Sequence, residues 1–252
     1  MSKHVAVLMG GLSAERPVSL WSGAACATAL EGQGYRVSRV DVGRDLAQAL
    51  TALKPDVAFN ALHGRFGEDG VVQGILEMLQ IPYTHSGVLA SALAMQKDRA
   101  KAVMAAAGVP VAEGVTVSRF EAAQRHVMPA PYVIKPVSEG SSVGVIVVHS
   151  DRSHPPQELL REDWPYGESV LVETYIPGRE LTCAVMDDRA LGVIDIRPSS
   201  GFFYDFDAKY IDGSTKLVIP AEVSPDIARE MQEMAREAFI AMQCEGLARV
   251  DF

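Results

Sequence analysis

The chain has 252 residues, 48% of them hydrophobic, which is enough apolar side chain for two or three subdomains rather than one minimal core. Its 23 Lys and Arg against 32 Asp and Glu leave a formal charge of −9, and no block is rich in Lys and Arg. That balance argues against nucleic acid and anionic membrane as main partners, while a few local cations could still hold a small anion.

In chain order, Val5–Met9 is a short apolar run stopped by Gly10-Gly11, the pattern of a buried strand. A helix is expected from about Pro17 to Leu30, since a first-turn proline removes only an N–H that has no partner anyway. Arg36–Val40 alternates as a strand, Leu46–Leu53 reads as helix, Asp56–Leu62 as strand and Val71–Leu79 as helix. Alternating strand and helix implies a parallel sheet covered by helices, so residues 1–95 are expected to form a Rossmann-like α/β domain. Ser91–Ala107 reads as one helix ended by Gly108 and Pro110. Beyond it the texture becomes antiparallel α+β. Tyr132–Lys135 and Val143–Val148 are strands joined by Pro136–Ser142, followed by strands at Ser169–Ile176, Leu181–Met186 and Ala190–Ile196. Gly201–Asp212 is aromatic and charged and reads as a loop. Ser224 is placed to cap a helix that opens with Pro225 and carries Ile227, Met231, Met234, Ala238, Phe239 and Met242 as its apolar stripe. Gly246 ends that helix, and Leu247–Phe252 reads as a last strand.

Cys26, Cys183 and Cys244 are far apart, odd in number and without metal-ligand spacing, which suits a reducing cytoplasm. No window approaches the roughly 18 apolar residues of a membrane span. The expected setting is cytoplasmic.

The strongest chemical feature is Lys135 followed by Glu139-Gly140-Ser141-Ser142-Val143-Gly144 between two strands. Glycines let a backbone approach phosphates, amides and serine hydroxyls donate to them, and a lysine on the preceding strand adds a point charge. The loop lacks Walker spacing and does not lead into a helix, so it is not a P-loop. An ordinary hairpin with a Gly-Ser turn is the plain alternative.

Here a resemblance becomes specific. Tyr132–Pro136 with Glu139–Gly144 looks like the lysine strand and glycine-rich loop of the D-alanine–D-alanine ligases of the ATP-grasp superfamily. Gly10–Ser19, Leu62–Gly70, Met95-Gln96-Lys97, Val172-Glu173, Pro177–Glu180, Tyr204–Tyr210 and Arg249-Val250-Asp251 are similar to further motifs of that family, in the family's order. The resemblance implies a Rossmann-like domain at 1–95, a central ATP-grasp subdomain at 96–183 and a C-terminal ATP-grasp subdomain at 184–252. It also implies an ATP-dependent, ADP-forming ligation of two D-alanines through an acyl phosphate for peptidoglycan synthesis, with Mg2+ or Mn2+, in a homodimer.

Residue by residue, the resemblance gives Lys97 and Lys135 to the nucleotide phosphates, with Gly140 and Ser142 in the phosphate loop. Glu173 and Glu180 go to adenine and ribose. Glu15 takes the ammonium group of the first D-alanine, with Ser141 and Tyr210 completing a triad. His63 and Lys209 are substrate-side residues, Arg249 faces the transferred phosphate and Asp251 holds the metal. Lys209-Tyr210 favours an amine over D-lactate as second substrate. The plain alternatives are a solvated Lys97, surface glutamates at 173 and 180, a helix-dipole role for Glu15, a structural His63 and a surface Arg249–Asp251 pair.

Two positions depart from the family without removing a catalytic group: Gln96, where an acidic residue is usual, and Phe66, at a commonly small position. The family continues past a strand like Leu247–Phe252 into one bearing a glutamate and an asparagine that complete the metal sites. The 252-residue piece alone is therefore expected to be inactive or nearly so, and ADP release at an ordinary ligase rate would contradict that. The rival readings are an ATP-grasp ligase for another carboxylate and a non-catalytic nucleotide-binding module. A Rossmann dehydrogenase is excluded, because Gly10-Gly11-Leu12-Ser13 does not supply G-x-G-x-x-G.

Overall fold

The structure, a computed structural model, describes residues 2–198 and 215–252. The chain divides into two compact units. The first comprises Met1–Leu93, Met186–Arg189 and Gln243–Ala248, and the second Ala94–Val185, Ala190–Met242 and Arg249–Phe252.

In the first unit, β1 (His4–Met9) is buried along its whole length at the centre of a parallel sheet ordered β2-β1-β3, with β2 at Arg36–Asp41 and β3 at Val57–Asn60. A strand covered on both faces needs no apolar–polar alternation, which is why Val5–Met9 is uniformly apolar. Its side chains alternate between two cores. Ala6 and Leu8 join Leu46, Leu50, Ala58, Val72 and Leu76, while Val5 and Val7 join Ala27 and Ala61. The helices α1 (Arg16–Gly32) and α2 (Leu46–Leu53) connect the strands, and α3 (Val71–Met78) follows β3. On α1, Gly23 faces Met9, whose Cβ would lie 2.4 Å from any Cβ at position 23, and the Ser19 hydroxyl donates to the Ala61 carbonyl at 2.7 Å.

His85 also belongs to this unit, edge-on to Phe59 with 6.0 Å between ring centroids. Burial pushes its imidazole below the ordinary value of 6.5, with His63 a weaker contributor in the same direction, against backbone hydrogen bonds at Asn60 and Leu247 that pull it up. A depressed folded-state value means that the neutral ring stabilises the fold. That contribution is complete above about pH 6.5 and is lost as pH falls through the folded-state value. His85→Asn, which also tolerates the left-handed φ of 70° at this position, is therefore expected to remove part of the fall in melting temperature between about pH 7 and pH 5. An unchanged slope would exclude His85 as its source.

Ser91–Ala107 is not one helix. It is α4 (Val88–Met95) and α5 (Lys97–Ala106), separated by Gln96, whose ψ of 92° is extended. The amide of Lys97 donates to the Val137 carbonyl at 3.0 Å instead of to a helical partner, so a tertiary bond breaks an otherwise helix-forming run.

The second unit has two four-stranded sheets. One is antiparallel and ordered β4-β7-β5-β6, from β4 (Gly114–Ser118), β5 (Tyr132–Pro136), β6 (Ile146–Val148) and β7 (Ser169–Thr174). The other is ordered β10-β9-β8-β11, from β8 (Glu180–Met186), β9 (Arg189–Pro198), β10 (Thr215–Val218) and β11 (Leu247–Asp251). Strand β6 starts at Ile146 rather than Val143, because Ser141, Ser142 and Gly144 take left-handed φ values of 48°, 59° and 71° and hold the chain in a turn. Strand β4 and the helix α6 (Arg119–Gln124) that follows it escaped the sequence reading. Ser118 caps α6 by accepting from the Phe120 amide at 3.3 Å, and Ser224 caps α7 (Pro225–Ala241) by accepting from Ile227 at the same distance. Among the described residues no helix is long and apolar enough to cross a membrane.

Candidate active site

Strand β5 buries Ile134 in the core under its sheet, so the next residue, Lys135, leaves the opposite face. Its ammonium lies 2.5 Å from Oε2 of Glu173 on β7, and the other carboxylate oxygen of Glu173 is bound by Lys101 of α5. Burial alone would push the Glu173 carboxyl up. Lys135 and Lys101 outweigh it and hold the group below its ordinary value. Lys97, one turn before Lys101, donates from Nζ to the Pro136 carbonyl at 3.1 Å and to that of Glu139. The helix and the backbone around the glycine-serine loop are therefore joined through this ammonium.

The loop itself closes through the Val143 amide donating to the Gly140 carbonyl at 3.1 Å. Only glycine fits at 144, where a Cβ would sit 2.8 Å from both Pro136 and the Tyr166 ring. A cleft of about 410 Å³ is lined by Lys97, Lys135, Gly140, Ser141, Ser142, Glu180 and Asp251. The structure thus brings seven of the expected site residues around one opening within the second unit. Glu173, only 6% exposed, sits behind Lys135. Arg249 pairs with Asp251 through Nε–Oδ1 at 2.8 Å and a second nitrogen to Oδ2 at 2.9 Å.

In the first unit, β1 runs out into Gly10 and Gly11, both left-handed, and Arg16 of α1 holds Asp41 bidentately at 2.6 and 2.7 Å. Glu15 immediately precedes α1, and its side chain makes no capping bond to that helix. Its carboxylate is buried against Gly64, where a Cβ would meet Oε2 at 2.0 Å. His63 Nε2 lies 3.1 Å from the Ser22 hydroxyl, the Ser13 hydroxyl donates to the His63 carbonyl at 2.7 Å, and Glu68 accepts from the Gly64 amide at 2.6 Å. Glu15 and His63 are thus held on two neighbouring loops. Lys209 and Tyr210 lie outside the described residues.

Comparison with known proteins matches residues 103–252 to the D-ala D-ala ligase C-terminus and residues 45–86 to the D-ala D-ala ligase N-terminus. The chain belongs to the D-alanine–D-alanine ligase family. A D-alanine–D-alanine ligase of Methylocella silvestris is 65% identical over 252 residues, covering 100% of this chain and 82% of that protein. The ligase of Beijerinckia indica is 63% identical over the same span, again covering 82% of the relative. Among solved structures, the Bacillus anthracis D-alanine–D-alanine ligase superposes with a TM-score of 0.81 at 32% identity, covering 99% of this chain and 82% of that one. The same enzyme complexed with ATP gives 0.81 at 29%, covering 99% of this chain and 81% of that one. The fold is accordingly a Rossmann-like domain followed by an ATP-grasp fold.

For a divalent cation in this ligase fold, Asp251 is the candidate ligand among the described residues. Its Oδ1 also accepts from the Thr182 hydroxyl at 2.7 Å, and no group of three His, Cys, Asp or Glu among the described residues could enclose an ion. One cleft-lining carboxylate beside the glycine-serine loop fits an ion that would arrive with a phosphate ligand, the usual magnesium arrangement, and not a cage made by these residues alone.

Sequence reading missed Lys101, Thr182 and the group around Asp195. This aspartate is 1% exposed and is held by Arg179 at 2.5 Å and Arg197 at 2.6 Å. Lys101 was within reach, because it lies four residues after Lys97 and so shares its helical face.

Proposed function

We propose that this is the chain of an ATP-dependent D-alanine–D-alanine ligase of the cytoplasm, acting in peptidoglycan synthesis as a homodimer, with the subdomain limits 1–95, 96–183 and 184–252. A carboxylate oxygen of the first D-alanine attacks the γ-phosphorus of ATP, and the bond to the β-bridging oxygen breaks to release ADP. The amine of the second D-alanine then attacks the acyl carbon and loses a proton, and the carbon–phosphate oxygen bond breaks to release phosphate. Such a site must gather mutually repelling anions and keep water from the acyl phosphate.

Lys97 and Lys135 neutralise phosphate charge, and the amides and hydroxyls of Gly140–Ser142 donate to phosphate oxygens. Glu180 takes the ribose and Glu173 the adenine side of the nucleotide. Glu15 pairs with the ammonium of the first D-alanine. Ser141 and Tyr210 complete its triad, and His63 and Lys209 serve the substrate. Arg249 stabilises charge on the transferred phosphoryl group once Asp251 releases it. Asp251 would hold magnesium or manganese, which would supply positive charge to the phosphates.

The observation that carries this reading is the convergence of Lys97, Lys135 and the Gly140–Ser142 loop on one cleft. The rival, a nucleotide-binding module without catalysis, draws on the closed Arg249–Asp251 pair. Calorimetry with a non-hydrolysable ATP analogue, with and without D-alanine, tests the first half, and binding is expected. ADP release that depends on D-alanine and not L-alanine, in a chain extended to the full length of its relatives, tests the second. No heat with the analogue at millimolar concentration sinks the reading, and binding without D-alanine-dependent ADP release leaves the module.

A further inference from the structure

We propose that Lys101 is a positioning residue for the nucleotide: it keeps Glu173 paired, so that Lys135 is free to leave that carboxylate for a phosphate. This rests on the reading of the cleft as the ATP site.

Glu173 is shared unequally between its lysines. Lys101 is 16% exposed and does not line the cleft, whereas Lys135 is 35% exposed and does. Lys101 is the inner partner and Lys135 the outer. The inner pair is tightly built. Gly114 of β4 faces it with no side chain, and a Cβ there would lie 3.0 Å from Lys101 Nζ, 3.0 Å from Glu173 Cγ and 2.8 Å from the Val172 carbonyl. The charged groups acting on Glu173 are Lys101 from α5 and Lys135 from β5; β4 presents only Gly114.

A buried carboxylate cannot lose its sole cation without a large penalty or a proton. Two lysines on one carboxylate carry one surplus positive charge. When Lys135 turns to a phosphate, the remaining Lys101–Glu173 pair is neutral, and Glu173 takes up no proton. With no charge at position 101, Lys135 becomes the only counter-ion, and its departure obliges Glu173 to protonate.

Calorimetric titration of the ATP analogue near neutral pH, in two buffers of different ionisation enthalpy, counts protons taken up on binding. Lys101→Gln keeps a hydrogen bond to Glu173 without the charge, and Lys101→Met is a second variant. Either is expected to bind the analogue about ten- to a hundredfold more weakly than wild type, since protonating a carboxyl near neutrality costs up to a few pH units. Either is also expected to take up as much as about one additional proton and to recover affinity as pH falls. Lys101→Arg is expected to behave as wild type, and Lys101→Gln combined with Glu173→Gln to lose the additional proton. Weaker binding without that proton, or wild-type binding in Lys101→Gln, overturns the proposal alone. Failure of the wild-type chain to bind the analogue overturns the nucleotide reading and this proposal with it.

Discussion

Exchange of Lys135 for methionine is expected to weaken binding of an ATP analogue by about a hundredfold while leaving the fold nearly as stable as before. A charge-assisted hydrogen bond contributes roughly 1.5–3 kcal/mol, and each 1.4 kcal/mol is about a factor of ten in affinity. Lys135 is half-buried on the cleft wall, so its charge is screened less than a surface lysine's. Removing a partner of a buried carboxylate ordinarily costs several kcal/mol. Here Glu173 retains Lys101, so that penalty is absent. Binding and stability therefore separate, and calorimetry beside a thermal melt reads both. Unchanged affinity would remove Lys135 from the phosphate site, and a drop in melting temperature as large as that of Glu173→Ala would show the two lysines to be structurally equivalent.

Gly64→Ala is expected to lower the melting temperature of the first unit by roughly 10–20 °C, from a destabilisation of about 2–4 kcal/mol. Position 64 has a φ of 66°, where a Cβ alone costs about 1–2 kcal/mol. The rest comes from the 2.0 Å approach to Glu15 Oε2, since the Glu15 side chain is itself buried and has little room to yield. Gly34 is the internal control. It has a φ of 84° with nothing within 4 Å of an added methyl, so Gly34→Ala should show the backbone cost alone. Equal melting of the two variants would mean that Glu15 moves aside without penalty. The proposed pairing of Glu15 with the D-alanine ammonium adds a second expected result, weaker D-alanine binding in Gly64→Ala than in Gly34→Ala.

What the sequence revealed follows how local each cause is. Strand β1, the caps at Ser224 and Pro225 and the lysine before the glycine-serine loop are set by residues adjacent in the chain, and they could be read directly. The break at Gln96 could not, because its cause is the Val137 carbonyl some 40 residues on (Lys97 to Val137), within a run that contains neither glycine nor proline. Strand β4 was missed because it is mostly exposed and short, and it gives little of the apolar signal that marks its neighbours. At the site, residue pattern pointed to Lys135 and its glycine-serine loop, and the family resemblance to Lys97 and Asp251. The burial of Glu173 and its sharing between two lysines depend on register between β5 and β7, which spacing along the chain does not encode.

The broken helix carries one more consequence. With the first amide of α5 given to Val137 and the Lys97 ammonium given to the Pro136 carbonyl, the start of the helix and the end of β5 are laced together at main-chain level. The spacing of the Lys97 and Lys135 main chains is then fixed by backbone geometry, while the Lys135 side chain keeps its freedom to turn. The outward-facing positions of α5 are left open to evolutionary drift, whereas an insertion between Pro136 and Glu139 would pull apart the carbonyls that Lys97 bridges and leave Lys135 on its strand.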